Sequence, residues 1–390
     1  MNYNWQLIND SITNSDKKAL TDFINEPNQR FTNGPKVKEF EKAWSEYVGC
    51  RYSVFVNSGA SANYIMASIM KEEKDLGEVI VSPLGWVSDV SPLVNLGFTP
   101  VFVDVSMENM SITLDNIKAA VTDKTVGVSL VHVLGFAAVT DEMTQFCEDN
   151  NLFFIEDCCE SHGATYKGTK VGNFGDVSNF SFYFGHHITT IEGGMVCTND
   201  ERFYDYAKLF RSHGMTREAS TQVQEQYERS RPDLNPLFTF AVPGYNFRNQ
   251  ELNAVLGLEQ LKRLDFNCDK RRENFSNWID ELDSDKFYTD FHQNGNSNFA
   301  LPLILRKKDL ELFEKCCILL EEKNVEYRVG TAGGGNQARQ PYLDKYDFIE
   351  HDLSNVDHIH DFGLYIGNHP KLSFYEIENL THKLNEVCNE

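Results

Sequence analysis

The first half of this 390-residue chain alternates short apolar runs with longer amphipathic segments, and this alternation limits the possible folds more than any other feature. The amphipathic segments have helical spacing, and one of them opens at Pro35 and ends before Gly49. This order of elements predicts an α/β fold with a mostly parallel sheet between helices. Proteins with such a sheet bind their ligands at the carboxyl ends of the strands. The predicted strands occupy residues 51–56, 78–81, 99–105, 125–133 and 152–155.

The last third of the chain has a different pattern, which predicts a smaller α+β domain. Strands are expected at residues 299–305 and 325–329, with helices between and after them. We place the domain boundary near residue 265. The prediction is therefore a large α/β domain, residues 1–265, and a small α+β domain, residues 266–390, with the N-terminal helix expected to pack on the small domain.

The composition restricts the partners and the compartment. With 36 basic against 58 acidic residues the formal charge is −22, which argues against a nucleic acid polymer or an anionic membrane as the partner. No apolar run reaches the roughly 18 residues of a membrane span, and the polar start from Met1 to Asp10 lacks a signal-peptide pattern. The nine cysteines show no zinc spacing and are expected to be free thiols in a reducing cytoplasm. We therefore expect a cytoplasmic protein without a metal site.

Residues with binding potential follow three of the predicted strands. Ser58, Gly59 and Ala60 connect a strand to a helix, where free N–H groups and the helix dipole favour a phosphate. Trp86 and Asp157 come after two other strands. Taken singly, the tripeptide is equally explained as a helix cap, the tryptophan as a core residue and the aspartate as a turn residue. Their common position at the carboxyl ends of strands favours one shared binding site.

The stretch from Ser181 to Gly194 has a specific order, Ser-Phe-Tyr-Phe-Gly-His-His-Ile-Thr-Thr-Ile-Glu-Gly-Gly. It resembles the cofactor-lysine block of the DegT/StrS-type sugar aminotransferases, fold type I enzymes that use pyridoxal phosphate (PLP). Their block runs roughly Ser-Phe-x-x-x-Lys-Asn-x-Thr-x-x-Glu-Gly-Gly, so His186 stands at the lysine position and His187 at the asparagine position. A small branch of the family makes the first replacement, namely the sugar 3-dehydratases that use pyridoxamine phosphate (PMP). The resemblance therefore implies a PMP-dependent 3-dehydratase with an aminotransferase-like fold.

Two further blocks carry the same resemblance. An Asp-x-x-Glu-x-His-Gly-Ala motif begins at Asp157, and a Gly-Tyr-Asn-x-Arg motif begins at Gly244. In the family the aspartate pairs with the pyridinium nitrogen of the cofactor, and the asparagine reaches the phosphate of the neighbouring subunit, which implies a homodimer. The resemblance implies that the cofactor phosphate is bound by Ser58, Gly59, Ala60, Ser181 and the partner's copy of Asn246. It implies that Trp86 stacks on the cofactor ring, that Asp157 contacts the ring nitrogen and that Glu160 contacts the ring hydroxyl. The substrate contacts that it implies are those of His187, Arg248, Arg328 and His369.

His186 determines the chemistry that the resemblance implies. A lysine would hold PLP covalently, whereas an imidazole forms no stable Schiff base, so the cofactor persists as the amine PMP. Histidine, with an unperturbed pKa near 6.5, suits proton removal near neutral pH. The expected reaction removes the 3-hydroxyl of a nucleotide-linked 4-keto-6-deoxy hexose, and L-glutamate then regenerates PMP. A GDP-linked mannose-type sugar is the first choice, while CDP- and dTDP-linked sugars stay open.

A second branch of the family with histidine at this position pairs PMP with an iron–sulfur cluster. Such a cluster needs grouped cysteine thiolates. Between Cys197 and Cys316 this chain has only Cys268, so we expect no cluster. The run of glycines at residues 333–335 fits no pattern of the family and predicts only a flexible loop.

Two other functions are compatible with the loss of the lysine. A sugar aminotransferase would have to recruit another lysine, such as Lys170, which lies in a predicted hairpin turn. A catalytically inactive relative would serve as a binding or regulatory protein. The presence of Asp157, Ser181 and Asn246 argues against such decay.

Overall fold

Helices and strands alternate along the first half of the chain, as the sequence predicts. The computed structural model describes residues 4–331 and 333–387. Its α-helices are α1 (Asn14–Asn25), α2 (Pro35–Val48), α3 (Gly59–Glu73), α4 (Val87–Leu96), α5 (Leu114–Ala120), α6 (Asp141–Asp149), α7 (Glu201–Arg211), α8 (Thr221–Ser230), α9 (Glu251–Leu261), α10 (Leu264–Glu281), α11 (Leu310–Glu322), α12 (Ser354–Phe362) and α13 (Phe374–Glu386). Its β-strands are β1 (Tyr52–Val56), β2 (Glu78–Val81), β3 (Thr99–Phe102), β4 (Thr125–Val131), β5 (Phe153–Asp157), β6 (Thr165–Tyr166), β7 (Thr169–Lys170), β8 (Val177–Ser181), β9 (Gly194–Thr198), β10 (Ala300–Ile304), β11 (Tyr327–Val329), β12 (Ile349–Glu350) and β13 (Gly363–Gly367).

The central element is an eight-stranded sheet with the order β1-β9-β8-β5-β4-β2-β3-β12. Strands β8, β5, β4, β2, β3 and β12 run parallel to one another. Strand β9 runs antiparallel to both of its neighbours, β1 and β8. Because only β9 is reversed, the other strands all end at the same edge of the sheet. The predicted α/β fold with a mostly parallel sheet is confirmed.

Helix α2 illustrates how the apolar spacing of the sequence fixes the packing. Pro35 occupies its first turn, and Gly49 ends it in a left-handed conformation with φ 91°. The Phe40 ring lies 5.3 Å from the Phe182 ring, so the helix supports the turn that follows β8. Burying such side chains contributes roughly 1.5–3 kcal/mol each. The buried face of the helix consists of Val37, Phe40, Trp44 and Val48.

A second, antiparallel sheet has the order β10-β13-β11 and is crossed by the segment that precedes α1. The Trp5 indole N–H donates to the carbonyl oxygen of Gly367 at 2.8 Å. The Leu7 N–H donates to the Glu326 carboxylate at 3.0 Å. We call residues 5–8 the N-terminal strap. The strap ties the beginning of the chain to a strand near its other end.

The domain boundary near residue 265 stays a prediction, as does the placement of the N-terminal helix. Helix α10 begins at Leu264 and continues without a break to Glu281. Helix α1 packs against α9, and its Asp16 carboxylate is paired with Arg263 at 2.5 Å. Strand β12, from the last third of the chain, extends the central sheet beside β3.

The observed elements differ from the predicted ones mainly at their ends. The strand predicted at residues 99–105 stops at Phe102, and the strand predicted at 125–133 stops at Val131, where a tight turn starts. The hairpin predicted around Lys170 is confirmed as the pair β6–β7. None of the helices among residues 4–331 and 333–387 combines the length and the apolar character needed to cross a bilayer.

Candidate active site

A cavity of about 390 Å³ lies at the carboxyl edge of the central sheet, where ligands of such sheets bind. The ends of β4, β5 and β8, the start of α3 and the strap contribute to its wall. The structure thus brings together side chains that are far apart in sequence. Nine residues predicted for the site line the cavity: Ser58, Gly59, Ala60, Trp86, Asp157, Glu160, Ser181, His186 and Arg328.

One end of the cavity is suited to an anion. Ser58 caps α3 by accepting a hydrogen bond from the Ser61 N–H at 3.0 Å. The N–H groups of Gly59 and Ala60 find no acceptor among the described residues, as expected for the first turn of a helix. A Cβ on Gly59 would lie 2.7 Å from the Ser181 Cβ, so only glycine lets the serine hydroxyl approach the helix start this closely. Together these donors are suited to an anion such as a phosphate.

Asp157 ends β5 and is fixed in one orientation by its neighbours. Its Oδ2 accepts from the side-chain amides of Asn63 at 2.9 Å and Asn179 at 3.2 Å. Its Oδ1 accepts from the Cys159 N–H at 2.9 Å. These donors are neutral, so they orient the buried carboxylate without cancelling its charge. The carboxylate is therefore suited to pair with a cationic group of a ligand.

Asp89 was not singled out in the sequence, yet it connects Trp86 with this carboxylate. Its Oδ2 accepts from the Trp86 N–H at 2.8 Å at the start of α4. Its Oδ1 lies 3.4 Å from the same Asn63 amide nitrogen that serves Asp157. Burial and the neighbouring Asp157 carboxylate raise the pKa of Asp89 well above its usual range. The two acids lie close together, and a cation between them, such as a protonated ring nitrogen, would relieve their mutual repulsion.

Trp86 presents its side chain, which is 58% exposed, at the rim of the cavity. A Cβ on Gly333 would lie 2.7 Å from the ring atom Cε3, and Gly333 has a φ of 75°. The Gln337 side chain donates to the carbonyl oxygen of Gly85 at 3.0 Å. Gly333, the first residue of the glycine run for which the sequence predicted only a flexible loop, thus lies against the indole.

Glu160 lies in the cavity wall, where its Oε2 accepts from the Leu134 N–H at 2.8 Å. Desolvation, opposed by this hydrogen bond and reinforced by the Asp157 carboxylate, raises the pKa of Glu160 to about 7. At neutral pH its carboxyl group exists in both protonation states. It can therefore donate a hydrogen bond to a ligand oxygen as well as accept one.

His186 lies in the turn after β8 and faces the cavity. Its ring centroid is 5.3 Å from that of Phe299 and 5.8 Å from that of His162. Its Nδ1 is buried without a hydrogen-bond partner among the described residues, which leaves Nε2 for exchange with a ligand. Burial, helped by the positive charge of Arg271 and opposed by Asp157, lowers the pKa of His186 to about 4. The unperturbed value near 6.5 therefore does not apply, and the imidazole is neutral at neutral pH.

Four residues predicted for cofactor or substrate lie outside the cavity wall of this chain. His187 is buried behind His186, and its Nε2 lies 2.9 Å from a main-chain carbonyl oxygen. His369 is buried as well. Asn246 is exposed and accepts from the Arg248 Nε at 3.1 Å. The contacts proposed for these four residues stay predictions.

Several cavity residues were absent from the prediction. Tyr183 and Glu192 belong to the block from Ser181 to Gly194, so their signal was the motif itself. Leu7 and Ile8 belong to the strap, and no local pattern indicates that the strap reaches this edge of the sheet. Asp89 had a weak signal, since an acidic residue at the third position of a helix can accept from the N–H of the N-cap residue, as it does here from Trp86.

The groups around the cavity fit one kind of ligand, a flat aromatic cation with an anionic tail. The helix start and the two serine hydroxyls suit the tail, and the acid pair suits the ring cation. The exposed indole of Trp86 offers a flat face for the ring. A pyridine ring that carries a phosphate has all three features.

A sequence profile of the DegT/DnrJ/EryC1/StrS aminotransferase family matches residues 10–385. The chain belongs to this family. Two members of the family are similar over nearly their whole length. The GDP-4-keto-6-deoxy-D-mannose 3-dehydratase of Yersinia pseudotuberculosis is 35% identical over 362 residues, which cover 90% of this chain and 91% of that protein. The enzyme of the same name from Escherichia coli O55:H7 is 30% identical over 390 residues, which cover 98% of this chain and 99% of that protein.

The fold is likewise that of the family. A crystal structure of GDP-4-keto-6-deoxymannose-3-dehydratase with a trapped PLP-glutamate geminal diamine matches with a TM-score of 0.89 at 30% identity. The match covers 98% of this chain and the whole of the other. The predicted fold type I aminotransferase-like architecture is confirmed.

Proposed function

We propose that this member of the family is a PMP-dependent 3-dehydratase. Its substrate is GDP-4-keto-6-deoxy-D-mannose, and its product is the corresponding 3,6-dideoxy-4-keto sugar. The observation that carries the proposal is His186, which stands at the lysine position of the family and faces a cavity with groups for phosphate and pyridinium. The two relatives described above, which are 3-dehydratases by name, support the same reaction.

The residues around the cavity would hold the cofactor without a covalent bond. The start of α3 with Ser58 and Ser181 would bind the phosphate, and Asp157 would bind the ring nitrogen. Trp86 would cover one face of the ring, and the protonated form of Glu160 would donate to the ring oxygen. When bound, PMP supplies an amine for the keto carbon of the sugar and a ring that draws electrons as the 3-hydroxyl departs.

His186 moves the proton. As a neutral imidazole it would take up at Nε2 the proton that the aminomethyl carbon of PMP loses, and its low pKa means that it gives this proton up readily. The departing 3-hydroxyl of the sugar receives that proton and leaves as water. Arg328, on β11 at the cavity rim, is exposed and suits the anionic diphosphate of the substrate.

The proposal includes a homodimer in which Asn246 reaches the phosphate in the partner's cavity. Asn246 is exposed and lies outside the cavity wall of its own chain. Three exposed apolar side chains, Leu237, Phe238 and Phe240, precede it in the chain. Such side chains favour burial against another protein surface.

A cytoplasmic location is also part of the proposal. The eight cysteines among the described residues carry free thiols, and a reducing compartment keeps thiols in that state.

The decisive experiment is a turnover assay with purified protein, PMP, L-glutamate and a panel of 4-keto-6-deoxy sugars linked to GDP, CDP or dTDP. We expect the GDP-linked mannose sugar to lose one oxygen atom by mass, with release of ammonia and conversion of glutamate to 2-oxoglutarate. A product that gains an amino group at the keto carbon would identify an aminotransferase instead. Absence of turnover on the whole panel would leave a binding or regulatory protein.

A borohydride experiment tests the aminotransferase alternative without substrate. Lys170 is not among the cavity residues, and its Nζ lies 4.4 Å from the centroid of the Tyr47 ring. We expect reduction in the presence of PLP, followed by peptide mapping, to find no pyridoxyl group on any lysine. The positive control is His186→Lys, which should be labelled at position 186. Labelling of Lys170 in the unchanged protein would contradict the proposal.

A further inference from the structure

Arg271 is a buried cation without an anionic partner. It lies on α10, is 6% exposed and forms no ion pair with a carboxylate of the described residues. Its Nη1 donates to the carbonyl oxygen of Phe299 at 2.7 Å and to that of Asn368. Its Nε is buried without a partner in the described part of the chain. An unpaired buried charge is costly for stability, so its presence calls for a role.

A hydrogen bond and a ring contact connect Arg271 to His186, the proposed catalytic base. The carbonyl group that receives its hydrogen bond belongs to Phe299, whose ring packs against His186 with the centroids 5.3 Å apart. The Asn368 side chain returns a hydrogen bond to the Arg271 carbonyl oxygen at 2.9 Å. Arg271 is not itself a cavity residue, so it acts on a ligand only through such neighbours.

Charge provides a second link, because the guanidinium lowers the pKa of His186 and of the histidines packed around it. Among the other groups that face His186, the Asp157 carboxylate acts in the opposite direction and raises its pKa. The rings of His162 and His187 are held neutral by burial, and Tyr183 packs edge-on. Arg271 is therefore the cation that adds to burial in lowering the pKa of the His186 imidazole.

We propose that Arg271 is a positioning residue for His186, which holds the Phe299 ring against the imidazole and supplies a fixed positive charge beside it. The proposal deepens the proposed function, because it explains how the base stays unprotonated in a buried site. A neutral His186 is available for proton uptake over the whole neutral range. Without this neighbour, burial would still lower the pKa of His186, but by less, so the imidazole would begin to protonate at a higher pH.

The test is a titration of His186 by NMR in protein with isotope-labelled histidine and without substrate. The resonance of His186 is assigned by its loss in His186→Asn. In the unchanged protein we expect a titration midpoint near the value of about 4 that burial and Arg271 impose. Arg271→Gln removes the charge, and its shorter side chain also gives up the two contacts of Nη1, so the midpoint should rise by about one pH unit or more. Arg271→Lys keeps the charge and should hold the midpoint low.

The matched control is the next residue along α10. Arg272 is partly exposed and already pairs with Asp269 at 2.7 Å, so Arg272→Gln should leave the His186 midpoint unchanged. A midpoint in Arg271→Gln equal to that of the unchanged protein would overturn the proposal. So would a midpoint near 6.5 in the unchanged protein, a result that does not depend on the folding of any variant. Both titrations are measured without turnover. A failure of the proposal for Arg271 can therefore be distinguished from a failure of the proposed dehydratase reaction.

The charge of Arg271 should also affect how kcat depends on pH. If the dehydration is measured, Arg271→Gln should move the acid limb of kcat to higher pH, whereas Arg271→Lys should keep it where the unchanged protein has it. A purely structural role would lower kcat evenly at every pH, and that outcome would also overturn the proposal.

Discussion

At the scale of single residues, two adjacent histidines have opposite surroundings. His186 faces the cavity, and its Nε2 is available to a ligand. The Nε2 of His187 is hydrogen-bonded to the carbonyl oxygen of Ser297 at 2.9 Å. The carbonyl oxygen of His187 accepts a hydrogen bond from the side-chain amide of Asn267. His186 can therefore exchange a proton with a ligand. His187 instead connects the turn after β8 to α10 and to the segment before β10.

This difference predicts the outcome of a pair of substitutions. His186→Asn should lose dehydration by about a hundred- to ten-thousand-fold, the usual contribution of a positioned base, while PMP binding is retained. His187→Asn, which recreates the family residue, should keep substantial activity. Ammonia release and formation of the 3-deoxy sugar measure both. Near-normal turnover of His186→Asn beside an inactive His187→Asn would mean that the other histidine is the base.

Glu160 leads to a prediction about pH and stability. The unfolded chain releases this proton at about pH 4.3, whereas the folded protein keeps it up to about pH 7. In that window the folded state binds more protons than the unfolded state, so the contribution of Glu160 to stability falls as the pH rises. Urea unfolding of the cofactor-free protein at several pH values should show a smaller decline in Glu160→Gln. An unchanged decline would contradict the assigned pKa.

At the scale of elements, the loop at residues 333–335 supports the aromatic face of the site. Gly333, Gly334 and Gly335 have φ values of 75°, 102° and 80°, a region that other residues rarely adopt. Only Gly333 approaches Trp86, while a Cβ on Gly334 would meet nothing nearer than a side-chain nitrogen at 3.9 Å. The glycines therefore share a backbone requirement but differ in what lies next to them.

Two matched substitutions separate these effects. Gly333→Ala should displace the indole and weaken PMP binding by about tenfold, the order of magnitude of a lost aromatic stacking contact. Gly334→Ala imposes similar backbone strain without touching Trp86, so its PMP affinity should stay close to normal. Isothermal titration with PMP measures both affinities. Equal losses in the two variants would show that strain, rather than the indole contact, is responsible.

The sequence predicted those elements whose apolar pattern is strong. Strands β1, β2 and β4 are nearly continuous apolar runs and were located, since buried strands of a parallel sheet need such residues on both faces. Strand β12 is two exposed residues long, and helix α8 has no buried residue, so neither had a pattern to detect. Their formation depends on neighbours that local spacing does not encode.

The same reasoning applies to the site. Ser58, Trp86 and Asp157 were found because residues after parallel strands meet at one edge. Asp89 and Arg271 were missed because their importance comes from what packs beside them, not from their own spacing. The family motif supplied His186, but its pKa depends on burial and on a cation from a distant helix.

At the scale of the whole molecule, the proposed dimer places parts of two chains in each site. Asn246 is exposed, and it pairs with Ser212 through an isolated bridge. This position leaves its side chain accessible to a second copy. Each cavity would then depend on the partner for one of its phosphate contacts.

Mixed dimers test this arrangement. Asn246→Ala should weaken PMP binding without unfolding the chain, and His186→Ala should abolish turnover. In a hybrid of the two variants, one of the two sites combines the intact His186 of one chain with the intact Asn246 of the other. Activity should therefore recover partly on mixing. No recovery, with hybrid formation confirmed by mass, would place both residues in the same subunit's site.

The N-terminal strap has a consequence for how the chain is made. The residues joined by its Trp5 hydrogen bond are 362 positions apart, so synthesis of the second partner follows that of the first by roughly 20–70 s at typical ribosome speeds. During that interval the central sheet can assemble, but Leu7 and Ile8 have no small sheet to rest on. The wall that they form closes only when Gly367 has left the ribosome. The nascent chain therefore completes this wall of the cavity only after a strand made 362 positions later has appeared to hold residues 5–8.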